Sequence, residues 1–247
     1  MIVLCTDFGL HGPYTGQVKA VLEELATGVP VIDLFADLPA QNPKAAAYLL
    51  AAYDDYFPAE TVFIGVVDPG VGSSRRAVCL RVGNQWYVGP DNGLFEIVQR
   101  RGDAEIEAYE IVWRPARLSV SFHGRDLFAP VAARLAVGET LATPDFHRLV
   151  DGPTRISAWP DDLYEVVYLD IYGNAITGIR KSAFNPDGSL YIDGKLAPRA
   201  ETFSSVSPGQ VFCYENANGL MEIAVNQGSA GTELGLKIGM AVTQTNM

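Results

Sequence analysis

The chain has 247 residues, 48% of them hydrophobic, enough for a sizeable core in one large or two smaller domains. Its formal net charge of −11 argues against a nucleic-acid surface. No apolar run approaches the roughly 18 residues of a membrane span, and the start is not a charged-then-apolar leader. Neither a span nor a signal peptide is therefore expected.

Residues 2–6 read as a strand, ended by Asp7-Phe8-Gly9, which places a carboxylate at its carboxyl end. A helix is predicted over 13–26: Val18, Val21, Leu22 and Leu25 share one face, and Gly28 suits the stop. A strand over 31–34 and a helix over 43–56 follow, the latter turning Ala46, Leu49, Leu50 and Tyr53 inward. The apolar segment 61–67 reads as a buried strand. Segments 77–82 and 85–88 form a hairpin turning at Gly83-Asn84. The turn Gly89-Pro90-Asp91-Asn92-Gly93 leads into a helix over 94–100, then a strand over 106–112 and a helix over 125–136. This alternation predicts a layered α/β domain over residues 1–142.

Between 143 and 162 the composition changes, and Pro144, Gly152, Pro153 and Pro160 break any regular element, so this stretch reads as a linker. Short alternating segments then dominate residues 163–247: 163–169, 175–179, 189–192, 211–215 and 221–225. Gly, Asn, Asp and Pro separate them, which predicts an all-β module, a small barrel. Cys5, Cys79 and Cys213 are widely spaced in apolar contexts and read as buried thiols of a reducing compartment.

The run Asp68-Pro69-Gly70-Val71-Gly72-Ser73-Ser74-Arg75 holds the densest functional signal. A carboxylate follows a buried strand, a glycine loop turns the chain, and an arginine can fold back onto the acid. That is a layout for an active site in an open α/β sheet, and equally for a structural ion pair in a turn. Neither GxGxxG nor GxxxxGK[ST] is present in this loop. Of the three histidines, His147 lies in the linker and reads as solvated, while His11 sits in the glycine-rich turn after the first strand. His123, in Phe122-His123-Gly124-Arg125-Asp126, is held at the junction between an extended run and a helix start. A metal centre on Asp68 and His123 lacks the further ligands it needs, so no metal is expected. A Ser-His-Asp system lacks its GxSxG elbow. In the second module, Asp170 and Asn174 flank an aromatic in a turn, as Asx residues also do for structural reasons. Glu222 alternates with apolar neighbours and is either an outward strand residue or a ligand contact.

Taken in order, TDFG at 6–9, VVDPGVG at 66–72 with Arg75, GPDNGL at 89–94, SFHGRDLFAP at 121–130, IYGN at 171–174 and EIAVNQGSA at 222–230 form a specific set. The set resembles the S-adenosyl-L-methionine (SAM) hydrolases that form adenosine, also called SAM hydroxide adenosyltransferases, kin of the SAM-dependent fluorinase and chlorinase. The resemblance spans nearly the whole chain. It implies an amino-terminal α/β domain and a carboxy-terminal β-barrel, assembled as a homotrimer with SAM between the first domain of one subunit and the second domain of its neighbour. It implies a water-holding triad at Asp68, Arg75 and His123, which the halide-using branches lack. It places Asp7 on the ribose hydroxyls, and Asn174, Phe203 and the backbone from Val225 to Gln227 around the adenine. It puts Asp170 on the methionine ammonium, with Glu222 nearby. Gln41-Asn42 replaces a fluorinase tryptophan, and Gly12 and Tyr14 replace polar fluorinase contacts. The implied reaction is hydrolysis of SAM by in-line attack of water at the ribose C5′, in the cytoplasm, with SAM as substrate and no cofactor. A SAM-dependent halogenase and a non-catalytic SAM- or adenosine-binding protein are the alternatives.

Overall fold

The structure, a computed structural model, describes residues 1–102 and 105–245. The chain divides into two compact units, Met1–Ile156 and Ser157–Met247.

The first unit contains β1 (Ile2–Thr6), α1 (Tyr14–Leu25), β2 (Val31–Phe35), α2 (Pro43–Tyr53), β3 (Val62–Val66), β4 (Ala77–Val82), β5 (Gln85–Pro90), α3 (Glu96–Arg101), β6 (Ile106–Ile111), α4 (Ala129–Ala136) and β7 (Phe146–Arg148). Among the described residues the strands form one seven-stranded sheet, ordered β2-β1-β3-β5-β4-β6-β7. Strands β2, β1, β3 and β5 run parallel, and β4, β6 and β7 add antiparallel pairs. Every residue of β1 and β3 is buried, as central parallel strands covered on both faces require. On one face Ile2, Leu4, Val62 and Ile64 share a core with Val18 and Leu22 of α1 and Val131 and Leu135 of α4. On the other, the Phe63 and Tyr87 rings stack at 5.2 Å, and Phe57 and Phe95 close over them. The start of α2 is fixed by Asn42, whose side chain accepts the Ala45 N–H at 3.1 Å, with Pro43 in the first turn.

The strand order positions the site. Strand β1 lies between β2 and β3, so the crossovers reverse direction there and leave a crevice at the carboxyl ends of β1 and β3. Thr6 pairs with Val66, so Asp7 and Asp68 both emerge at that crevice.

The second unit contains β8 (Leu163–Leu169), β9 (Ala175–Arg180), β10 (Ser189–Ile192), β11 (Lys195–Ala197), β12 (Val211–Glu215), β13 (Leu220–Val225), α5 (Ala230–Leu234) and β14 (Val242–Thr245). Among the described residues these make two antiparallel sheets, β12-β13-β9-β8 and β11-β10-β14. Isolated bridges join Glu165 to Ala241 and Arg199 to Cys213. The core is Val166, Ile179, Leu190, Cys213, Met221 and Ile223 with their neighbours. Asp193 and Gly194, both with positive φ, turn the β10–β11 hairpin.

Several expectations are corrected. The stretch 143–162, read as free of regular elements, holds β7, which adds to the sheet edge by pairing Phe146 with Ile111. Leu25, expected on the shared apolar face of its helix, is the last residue of α1 and is 49% exposed. The helix expected over 125–136 begins as a π-turn, Gly124–Phe128, before α4. The β11 and β14 strands and the five-residue α5 carry too few residues to leave a period in the sequence. Among the described residues no helix is long and apolar enough to cross a membrane.

Candidate active site

Beyond β3, two tight turns, Val71 N–H to Asp68 C=O and Ser73 N–H to Gly70 C=O, bring Arg75 back over the acid. Gly72 makes the loop possible: its φ is +80°, and a Cβ there would stand 2.7 Å from the Val120 carbonyl oxygen. The loop therefore packs directly on the segment that carries His123. Arg75 Nε donates to Asp68 Oδ1 at 3.0 Å and Oδ2 at 2.9 Å, and Nη2 also donates to Oδ2. The same Nη2 reaches His123 Nδ1 at 3.1 Å. The Arg75 and Asp68 side chains are only 11% and 5% exposed, and the guanidinium lies over the Phe128 ring.

This contact fixes the histidine tautomer. A guanidinium only donates, so Nδ1 must be the acceptor and the imidazole proton sits on Nε2. Burial lowers the His123 pKa from its ordinary value, and the Arg75 charge lowers it further, so the neutral ring is favoured.

Asp7 lies across the crevice. Its Oδ2 accepts the Gln41 backbone N–H at 2.9 Å, and Gln41 adopts left-handed φ of 56° to deliver it. Burial raises the Asp7 pKa, and the Asp68 charge adds to the rise. Asp7, Asp68 and His123 line a cleft of about 440 Å³ whose apolar wall is Phe8, Tyr14 and Phe122. Phe122 meets Phe8 and Tyr14 edge-on at 5.7 and 5.5 Å.

In the second unit the β8–β9 turn is built by Asp170. Its Oδ1 accepts the Tyr172 and Asn174 backbone N–H groups at 2.9 and 2.8 Å, and its Oδ2 accepts Asn174 Nδ2 at 3.0 Å. Glu222 on β13 is 4% exposed and is held by Tyr214 Oη at 2.6 Å and Asn216 Nδ2 at 3.0 Å. Burial raises its pKa; the Asp170 charge adds, while hydrogen bonds from Tyr214, Asn216 and Asn174 oppose the rise. Phe203 meets the Tyr214 ring at 5.3 Å. Val225, opposite Val211 at the end of β13, is a core residue by its side chain.

The fold thus gathers Asp7, Asp68, Arg75 and His123 in one unit, and Asp170, Asn174, Glu222 and Phe203 in the other. His11 and His147 are exposed and stand outside both groups. The sequence reading missed Tyr214 and Asn216, although the β12–β13 hairpin register places Tyr214 opposite Glu222. It also missed the Gln41 backbone bond, for which a side chain gives no signal. Among the described residues no group of three or more His, Cys, Asp or Glu side chains could hold a metal ion.

Comparison with known proteins is consistent along the chain. The SAM hydroxide adenosyltransferase N-terminal domain matches residues 2–144, and the C-terminal domain of that family matches residues 164–243. The chain is 39% identical to an (R)-S-adenosyl-L-methionine hydrolase of Thermus thermophilus over 98% of both chains. It is 38% identical to another from Salinispora arenicola, over 96% of this chain and 95% of that one. A crystal structure of an uncharacterized conserved protein from Thermotoga maritima superposes with a TM-score of 0.88 at 31% identity, covering all of both chains. Fluorinases are more distant, at 25% identity for that of an Actinoplanes strain. The chain belongs to the SAM hydroxide adenosyltransferase family.

Proposed function

We propose that the protein hydrolyses SAM to adenosine and L-methionine. The observation that carries this reading is the Asp68–Arg75–His123 assembly beside a cleft with a second carboxylate, Asp7. A water oxygen attacks the ribose C5′, the C5′–S bond breaks, and methionine leaves with the bonding pair as a neutral thioether. The leaving group needs no acid; the nucleophile is the difficulty. With a water pKa of 15.7, free hydroxide at neutral pH costs about 12 kcal/mol. Holding the water in line recovers up to about 7–11 kcal/mol. Asp68 accepts the water proton, which then passes to solvent. Arg75 fixes the carboxylate and favours the developing hydroxide. His123, with its proton on Nε2, donates to the water oxygen and orients the remaining lone pair towards carbon.

Asp7 accepts from the ribose hydroxyls with the oxygen that Gln41 leaves open. Asn174, Phe203 and the backbone from Val225 to Gln227 receive the adenine. Asp170 holds the methionine ammonium, with Glu222 beside it. The α/β unit thus carries the triad, and the carboxy-terminal unit carries adenine and methionine contacts; the isolated Glu165–Ala241 and Arg199–Cys213 bridges support reading its two sheets as a small barrel. The carboxy-terminal unit at each cleft belongs to a neighbouring copy in a homotrimer. The exposed Leu10, Val120, Ile171 and Tyr172, 68–85% accessible, are the apolar surface such an assembly would cover. SAM is substrate, and no cofactor is assigned. Three buried free thiols fit the cytoplasm.

The test is hydrolysis in ¹⁸O-water without halide: equimolar adenosine and methionine should appear, with the label in the 5′-hydroxyl. Binding without release would make the protein a SAM-binding protein. Formation of 5′-chloro-adenosine on adding chloride would favour the halogenase reading, which the charged triad opposes.

A further inference from the structure

The proposed roles leave unexplained how His123 is held, because among the described residues its only direct polar contact is with Arg75. It precedes the π-turn Gly124–Phe128 without making a side-chain capping bond, and an i→i+5 turn is a rare form that recurs at functional sites. Inside that turn Asp126 reaches back across the His123 segment. Its Oδ2 accepts the Ser119 backbone N–H at 2.8 Å, seven residues earlier, and its own N–H donates to the Phe122 carbonyl at 3.2 Å. The carboxylate thereby closes residues 119–126 into a ring that contains His123. A second arm steadies the first. Arg125 donates to both Asp126 oxygens, at 2.6 and 3.0 Å, and to Gln17 Oε1 of α1 at 2.7 Å. Its guanidinium also lies over the Phe122 ring at 5.0 Å. Gly124 completes the packing, since a Cβ there would fall 2.8 Å from the Phe8 ring.

We infer that Asp126 is a positioning residue for His123: by clamping the Ser119 N–H it fixes the segment so that Nδ1 meets Arg75 and Nε2–H faces the cleft. It touches neither substrate nor water. The inference rests on the proposed hydrolysis only for its kinetic consequence; its structural part stands without it.

The test uses Asp126→Ala, Asp126→Glu, which keeps the charge but displaces the acceptor, and Asp126→Asn, which keeps an acceptor for Ser119. Imidazole ¹H–¹⁵N correlation spectra of the ligand-free protein report the His123 tautomer, assigned by its loss in His123→Ala. Asp126→Ala and Asp126→Glu should each replace the fixed Nε2–H signature with an averaged one. They should also lower kcat about 30-fold with KM within about threefold, the pattern of a misplaced group. Asp126→Asn should restore both the signature and kcat to within about fivefold of wild type. An unaltered His123 signature in Asp126→Ala, or in Asp126→Glu where the alanine variant does not fold, overturns the inference whatever the rate. So does loss of the signature in Asp126→Asn equal to that in the other two. If the unmodified protein releases no adenosine from SAM, the hydrolysis reading fails while the tautomer result still decides the role of Asp126.

Discussion

Two buried carboxylates are held in opposite ways. Asp68, in the α/β unit, is gripped by a guanidinium that also contacts His123. Glu222, in the second unit, is at least as buried but is held by neutral donors, the Tyr214 phenol and the Asn216 amide. The α/β unit repeats the neutral form at Asp54, whose Oδ2 accepts from the Tyr87 phenol at 2.7 Å. A guanidinium supplies charge where charge must develop during reaction, whereas a phenol satisfies a lone pair and leaves the environment poorly compensated. The pKa of both phenol-held acids is raised by burial. Under the proposed function, the contrast separates a site built for chemistry from groups built for recognition and packing.

Removing the donor from each carboxylate breaks the comparison most sharply. Arg75→Leu strips the buried Asp68 of its cation and frees His123 Nδ1, so kcat for SAM should fall about 10³-fold. The uncompensated acid should also lower stability by about 3 kcal/mol, measurable by urea unfolding. Equal kcat in the variant would remove the reason for the pairing. Tyr214→Phe, by contrast, takes one neutral bond from Glu222. Its cost should be about 1–2 kcal/mol, appearing as an increase of about tenfold in KM with kcat within threefold. A kcat loss as large as that of Arg75→Leu would erase the distinction.

Asp54 tests the neutral form through pH. Its pKa is pushed up to about 6 by burial, against an ordinary value of 3.8. Between those values the folded state holds a proton that the unfolded state has lost. Its contribution to stability is full below pH 3.8, is lost as pH rises through about 6, and stays lost above. Asp54→Asn should therefore match wild type near pH 4 and exceed it at pH 8 by about 3 kcal/mol, read from chemical unfolding at both pH values. A variant less stable at pH 8 would show that the carboxylate is charged and favourable there. The smallest effect concerns His123. Its lowered pKa means that kcat/KM should stay level below pH 6.5 and decline only in more acid solution, as Nδ1 protonates and loses the Arg75 contact. A decline centred at or above pH 6.5 would mean that burial and the Arg75 charge do not together lower the ring's pKa.

Much of this was legible because chemistry-bearing side chains lie at the ends of strongly apolar segments. The buried strands β1 and β3 and the glycine-rich loop between Asp68 and Arg75 mark themselves by hydrophobicity and turn residues. Other features leave no such trace. The π-turn before α4 inserts one extra residue in a single turn, too little to shift a periodic pattern. Strand β7 is three residues long and exists because β6 offers it an edge. Gln41 serves Asp7 with its backbone, so its identity says nothing of its place. Asp126 reads as an ordinary helix-start acid until its bond to Ser119 is seen. Tyr214 meets Glu222 only through hairpin register.

The most direct test of the central claim separates binding from chemistry at Asp68. SAM affinity by calorimetry and single-turnover adenosine release should be measured for wild type and Asp68→Asn. The account predicts affinity within about threefold of wild type and release slowed about 10³-fold, because the carboxylate accepts the water proton and does not anchor the ligand. Loss of SAM binding in Asp68→Asn, or release at the wild-type rate, would contradict it.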